Sequence, residues 1–232
     1  MIKGFRGTSL VDFPGHLAAV IFFGGCNFRC PFCYNVDLVS PARLRALPSL
    51  APEDILEELA RREGFITGVV VTGGEPTLHP RHLRHLLEMI RAETKLAIKL
   101  DTNGSAPEVV RELAEEGLVD YVAVDFKTSP ARYGELSGRF DPVSETLSYL
   151  AESGLDHEVR ITAVPAFVSR AELAEMVPYL ERVPRVALQR FMSEYERLQP
   201  ELDLGLYGPE ELHALRDFLA ERLGGEVVLR HV

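Results

Sequence analysis

The feature that most restricts the fold of this chain is an alternation, repeated six times, of a short β-rich run with an amphipathic helical pattern. "AAVIFF" (Ala18 to Phe23) reads as a first buried strand, and "PEDILEELARREG" follows as a helix with Pro52 near its first turn, acids early and Gly64 as its stop. "GVVVTGG" is followed by "PRHLRHLLEMIRAE", "KLAIKLDTNG" by "APEVVRELAEEG", and "DYVAVDFK" by "DPVSETLSYLAESG". In that fourth helix Asp141 is read as the N-cap and Pro142 as the first helical residue. "HEVRITAVP" with "SRAELAEMVPYLERV" and "RVALQRF" with "GPEELHALRDFLAERLGG" complete the series, and "EVVLRHV" can close it as a last strand. Six βα units with short connections require a parallel sheet flanked by helices, with right-handed crossovers. The expected fold class is α/β, as an incomplete barrel or a doubly wound sheet.

No repeat, linker or low-complexity segment interrupts the 232 residues, a length that suits a single domain. Within it, residues 1–17 read as an N-terminal arm or hairpin over the first strand, 18–207 as the βα core, and 208–232 as a C-terminal helix and strand. The one long connection without helical pattern, "KTSPARYGELSGRF" (Lys127 to Phe140), reads as a mobile or partner-facing loop.

A net charge of −10 argues against a nucleic-acid or anionic-membrane partner, because counterion release would have no basic surface to act on. The longest apolar runs, "LAAVIFF" and "TGVVVTG", are strand-length and far short of the roughly 20 residues of a membrane helix. "MIKGFRGTSLVDFPG" places Gly, Arg and Asp where a signal peptide would be apolar, and the three cysteines are an odd number, so a reducing, cytoplasmic setting without disulfides is expected.

Those three cysteines lie within eight residues, Cys26, Cys30 and Cys33 in "GGCNFRCPFCYN", directly after the first strand. Three thiolates at this spacing can hold three corners of an iron–sulfur cube and leave one iron open to a substrate or cofactor. Gly24 and Gly25 permit a tight turn, and Pro31 stiffens the loop. Zinc held by the three cysteines and a histidine or carboxylate such as His16, or three unrelated buried thiols, are the alternatives. Ligands of parallel α/β folds gather at the carboxyl ends of strands. There the sequence places the cysteine loop, "TGGEPTLHP", "DTNG", "DFK", "VPAF" and "QRF" in succession.

"CNFRCPFC" matches the C-x3-C-x-aromatic-C signature of the radical S-adenosylmethionine (SAM) superfamily, with Phe32 in the aromatic place. "GGEP", "DTNG" and "DFK" recur in its glycyl-radical-enzyme activating enzymes. The opening "TSLVDFPGHLAAVIFFGGCNFRCPFCYN" resembles activating proteins of anaerobic ribonucleoside-triphosphate reductase and, more distantly, pyruvate formate-lyase activating enzymes. The resemblance is strong over about the first three-quarters of the chain and then fades. It implies a partial (βα)6 radical SAM barrel with a short N-terminal extension, a [4Fe–4S] cluster on Cys26, Cys30 and Cys33, and SAM as cosubstrate. By the same resemblance Gly73, Gly74 and Glu75 meet the SAM amino group, and Lys127 meets its carboxylate. Asp101, Thr102 and Asp125 correspond to ligands of a monovalent cation beside that carboxylate, and Asn103 belongs to the same segment. Implied partners are a glycyl radical enzyme as protein substrate and a flavodoxin- or ferredoxin-type reductant.

Several of these positions have plainer readings. Asp125 and Lys127 can be a solvated pair, and "DTNG" an Asx turn. Arg160 shares a strand face with Glu158 and Thr162, so it either contacts SAM or a substrate backbone from a barrel interior or forms a surface pair with Glu158. Gln189 is a weaker site candidate. His79, His82 and His85 fit the polar side of an amphipathic helix better than a metal site. Tyr34 stands where activating enzymes commonly have histidine, and no cysteine remains for an auxiliary cluster. The functional expectation is reductive cleavage of SAM to generate a glycyl radical on a partner. The alternatives are a radical SAM enzyme with a small-molecule substrate, or a non-catalytic iron–sulfur or zinc module.

Overall fold

The computed structural model describes residues 1–231. It is an α/β fold with a mostly parallel eight-stranded sheet whose strands follow chain order. The strands are β1 (Ile2–Ser9), β2 (Ala18–Phe23), β3 (Gly68–Gly73), β4 (Ala97–Thr102), β5 (Tyr121–Asp125), β6 (Asp156–Ala163), β7 (Arg185–Arg190) and β8 (Glu226–Arg230). The helices are α1 (Val36–Val39), α2 (Pro41–Ala46), α3 (Pro52–Ala60), α4 (Pro80–Glu93), α5 (Pro107–Glu115), α6 (Phe140–Ser153), α7 (Arg170–Met176) and α8 (Pro209–Ala220). The residues group into two compact units, one of 1–27, 35–102 and 108–122, the other of 28–34, 103–107 and Ala123 onward.

In the first unit β2 and β3 are near-continuous apolar runs because both of their faces are covered. They pair in parallel from Ala18 opposite Gly68 to Phe23 opposite Gly73, so the loops that follow them leave at one level. β1 runs antiparallel on the other side of β2, from Ile2 opposite Phe23 to Ser9 opposite Ala18. Phe13, Ala18, Val20 and Val70 form a core against which Phe22, Ala97 and Tyr121 pack. Helix α4 buries Leu83, Leu86, Leu87 and Ile90, a stripe at i, i+3, i+4 and i+7, and leaves Arg81, His82 and His85 in solvent.

In the second unit β6 pairs with β7 from Val159 opposite Val186 to Ala163 opposite Arg190, and β7 pairs with β8 in the same sense. The run "EVVLRHV" therefore does supply a last strand, over Glu226–Arg230. A capping box of Ser169 and Glu172 starts α7.

Two expectations are corrected here. The connection after β5 folds into a 3-10 helix, Pro130–Leu136, with Tyr133 and Leu136 buried and Ser137 closing it in the left-handed region at φ 59°. And α6 begins at Phe140 with Arg139 as N-cap, not at Pro142 behind Asp141. The reason is packing: the Phe140 ring stacks on Phe126 (5.3 Å) and meets Tyr179 edge-on (4.7 Å), which fixes the first helical turn two residues early. Pro142 still lies in that first turn, where a missing N–H has no intrahelical carbonyl to lose.

Candidate functional site

In the first unit, β2 ends at Phe23 and the chain turns through Gly24 and Gly25 to Cys26. Gly24 donates its N–H to Met1 O (2.9 Å) and Gly25 to Leu38 O (2.8 Å), while His79 Nε2 donates to Gly24 O (2.8 Å). The segment leaving β3 lies directly against this turn, with Gly74 N–H on Phe23 O (2.8 Å) and Glu75 N–H on Gly25 O (2.7 Å). A Cβ on Gly74 would overlap the Gly25 carbonyl, and one on Gly73, whose φ is +131°, would overlap the Phe23 backbone. In this fold the glycines of "GGEP" thus allow backbone to approach backbone. Glu75 is fully buried, and its Oε1 accepts from Thr77 N (3.1 Å), Thr77 Oγ1 (2.6 Å) and Thr102 Oγ1 (2.8 Å). Asp101 Oδ1 accepts from the fully buried Lys99, whose Nζ also donates to Asp12 O, both at 2.7 Å.

The remaining two cysteines lie in the second unit, on Phe28–Tyr34, and this stretch is held on both flanks. On one side Arg29 N–H donates to Leu136 O (2.8 Å), and the Phe28 ring packs where a Cβ on Gly138 would come within 2.7 Å of it. On the other, Leu198 N–H donates to Cys33 O and Gln199 N–H to Pro31 O, each at 3.1 Å. Cys33 N–H closes a turn on Cys30 O (3.1 Å). Cys30 is buried and Cys33 half-buried. Phe32 is buried against Phe167 (5.3 Å between ring centres). The Tyr34 ring lies parallel to Phe191 (5.8 Å) and edge-on to Tyr195 (5.7 Å), and its hydroxyl accepts from Met192 N–H (2.5 Å). Burial pushes the Tyr34 phenol up to about 12, against the opposing pull of that N–H, so it is neutral at ordinary pH.

Asp125, at the end of β5, bridges two cations: its Oδ2 meets Lys127 Nζ and its Oδ1 meets Arg160 Nε, both at 2.8 Å. Burial alone would raise the Asp125 carboxyl, but Arg160 and then Lys127 more than reverse this and hold it well below the usual carboxylate range. Lys127 is pulled the other way. Burial favours loss of its proton, yet the Asp125 carboxylate beside it holds the ammonium above its ordinary value. Tyr133 donates no charge here but accepts Lys127 N–H at its hydroxyl (3.3 Å). Arg160 thus faces Asp125. The fully buried Glu158 is gripped by both terminal nitrogens of Arg230, at 3.1 and 2.6 Å. Asn103 Oδ1 accepts from Ser105 N (2.9 Å), which is the Asx turn expected of "DTNG".

The structure thus brings Cys26, Gly73, Gly74, Glu75, Asp101 and Thr102 into one unit, and Cys30, Phe32, Cys33, Asn103, Asp125, Lys127 and Arg160 into the other. His16, the histidine of the zinc alternative, is hydrogen-bonded to Thr67 Oγ1 (3.0 Å) and packs on Phe13. Three supporting residues escaped sequence reasoning. His79 reads from the sequence as a solvated helix residue, and the signal against this is its place three residues beyond "GGEP", ahead of the helix itself. Lys99 is a lysine inside the buried strand β4, two residues from an aspartate on the same face. Arg230 had no local signal, since its partner is far away in the chain.

The donor set suits an iron–sulfur cluster. Its three thiols sit on one short loop directly after β2, so that each can take a different corner of a cube. Among the described residues no three His, Cys, Asp or Glu side chains converge as a single metal ion requires. A cube does not ask for that convergence, because each thiolate binds a different iron.

Comparison with known proteins agrees with this chemistry. Residues 20–177 match the model of the radical SAM superfamily, and the chain belongs to that superfamily of enzymes. Among its relatives is the pyruvate formate-lyase-activating enzyme of Clostridium pasteurianum, 26% identical over 96% of this chain and 98% of that one. A protein of Methanocaldococcus jannaschii provisionally named a glycyl-radical enzyme activating enzyme is 28% identical over 82% of this chain and 80% of that one. The 7-carboxy-7-deazaguanine synthase of Hyperthermus butylicus is 29% identical over 80% and 84%. Of solved structures, Streptococcus suis SuiB bound to its precursor peptide SuiA superposes with a TM-score of 0.70 at 17% identity, covering 90% of this chain. The chain spans about half the length of that protein, 48%, and the likeness is one of fold. No helix among the described residues is long and apolar enough to cross a membrane.

Proposed function

We propose that this chain activates a glycyl radical enzyme, with an anaerobic ribonucleoside-triphosphate reductase as the first partner to test. The observation that carries the proposal is the three-cysteine loop directly after β2, whose Phe28–Tyr34 part is held by backbone hydrogen bonds on both flanks. In this reading Cys26, Cys30 and Cys33 hold a [4Fe–4S] cluster. When bound, the cluster supplies the one electron that cleaves SAM to methionine and a 5′-deoxyadenosyl radical, which then takes a hydrogen atom from a glycine of the partner.

The chain's own residues bind and orient. Asp125, Lys127 and Arg160 carry one negative and two positive charges, so the group keeps a net positive charge for the SAM carboxylate. Gly73, Gly74 and the buried Glu75 set the segment that meets the SAM amino group, and Phe32 packs the cysteine loop from within. Thr102 and Asn103 shape the turn after β4. The electron comes from a flavodoxin- or ferredoxin-type protein, in the reducing cytoplasm that free thiolates require.

A monovalent cation beside SAM has little left to neutralise in this chain. Lys99 already faces Asp101, Thr102 donates its hydroxyl to Glu75, and Lys127 with Arg160 matches Asp125. SAM affinity is therefore expected to change less than twofold when potassium is replaced by choline at constant ionic strength. A tenfold fall would restore the cation to the site.

The functional test is to mix the reduced, reconstituted protein with SAM and an anaerobic ribonucleoside-triphosphate reductase and look for a glycyl radical by paramagnetic resonance. The radical is expected, with methionine and 5′-deoxyadenosine formed alongside it. Deoxyadenosine without a radical on any glycyl radical enzyme would favour a small-molecule substrate. That second reading is supported by the 7-carboxy-7-deazaguanine synthase relatives and is checked by assaying for 7-carboxy-7-deazaguanine.

A further inference from the structure

The stretch that follows β7 is where recognisable sequence fades, yet it is hydrogen-bonded directly to the cysteine loop. Three hydrogen bonds are among its attachments. Leu198 and Gln199 donate backbone N–H groups to Cys33 O and Pro31 O, and Met192 N–H reaches the Tyr34 hydroxyl at 2.5 Å. Only the last of these depends on a side chain. The Tyr34 ring also lies against both the buried Phe191 and the exposed Tyr195, nearly parallel to the first, at 8°. The hydroxyl of this partly exposed ring therefore ties the residue that directly follows Cys33 to the segment after β7.

We infer that Tyr34 is a positioning residue for the third cysteine, and that its hydroxyl and ring together set how far Cys33 and whatever it ligates are exposed to water. The inference rests on the cluster reading given above. The physical link is that the potential of an iron–sulfur cluster follows the hydrogen bonding and solvent exposure around its thiolates. Tyr34 follows Cys33 directly, so loss of its anchor frees the backbone on the C-terminal side of that ligand. Water admitted there stabilises the more highly charged reduced cluster and makes it a weaker donor to SAM.

The test compares Tyr34→Phe and Tyr34→Ala with the unaltered protein, all anaerobically reconstituted and titrated with dithionite under paramagnetic resonance. Tyr34→Phe keeps the stack and loses only the acceptor of Met192 N–H, so it stays informative even if Tyr34→Ala does not fold. Phe218→Leu serves as the destabilised control. Its ring lies in α8 beneath the guanidinium groups of Arg170 (4.8 Å) and Arg222 (3.9 Å), so it loses stability without touching the loop. The expected result for Tyr34→Phe is a full complement of iron and sulfide, a changed line shape, and a reduction equilibrium shifted about tenfold, or ~59 mV upward for one electron. Phe218→Leu should unfold at a lower temperature and keep the native line shape and potential.

A Tyr34→Phe protein with the native potential and line shape overturns the inference, as does a Phe218→Leu protein that shifts both equally. Failure of the underlying reading looks different, because the unaltered protein would then form no [4Fe–4S] cluster at all.

Discussion

A Cys30→Ala protein is expected to remain folded, to lose the [4Fe–4S] signal and to form no 5′-deoxyadenosine from SAM above background. Cys30 is buried and small, so its truncation opens little space, and the cost to the fold should be about 1 kcal/mol. The cost to chemistry is total, because two thiolates cannot hold a cube that three are needed to seat. Cys26→Ala and Cys33→Ala should fail in the same way, although they stand in different compact units. Iron content, the visible absorption band and product formation separate this from simple unfolding, which circular dichroism would detect. Normal turnover in any one of the three variants would remove the proposed mechanism.

The largest effect on stability is expected at Lys99, a residue that takes no part in the chemistry. Its side chain is wholly buried, and Nζ lies 2.7 Å from both Asp101 Oδ1 and Asp12 O, with the Tyr121 ring 5.9 Å away. Lys99→Met keeps most of the volume and withdraws the ammonium from a buried carboxylate. Breaking a buried pair in this way costs about 3–5 kcal/mol, against a typical total stability of about 5–15 kcal/mol. Denaturant unfolding should show that loss in the midpoint at unchanged slope. Adding Asp101→Asn removes the buried charge and should recover at least half of the stability. A Lys99→Met protein as stable as the parent would show that the pair contributes nothing.

The parts of this molecule that were legible in its sequence are those decided by local pattern. The buried strands β2 and β3, the stripe of α4 and the cysteine loop all announce themselves within a dozen residues. What stayed hidden depends on distant partners. α1 and α2, of four and six residues, are too short to show a period. The 3-10 helix after β5 carries its apolar Tyr133 and Leu136 three apart, a spacing that a search for long helices passes over. The start of α6 followed an aromatic cluster and not the Asp-Pro pair that marks a common helix entry.

Within the site, the signature named which residues to watch but not what they do in the fold. Glu75 proved to be the acceptor of three internal hydrogen bonds, and Arg160 the partner of Asp125. Such pairings are set by which strand lies beside which, and a single sequence records that only faintly.

The most direct test of the radical SAM mechanism is paramagnetic resonance of the anaerobically reconstituted, dithionite-reduced protein with and without SAM, followed by assay for 5′-deoxyadenosine. A [4Fe–4S] signal that changes when SAM is added, with deoxyadenosine formed, is the predicted result. Zinc in place of iron, or a cluster whose signal is indifferent to SAM, would contradict it.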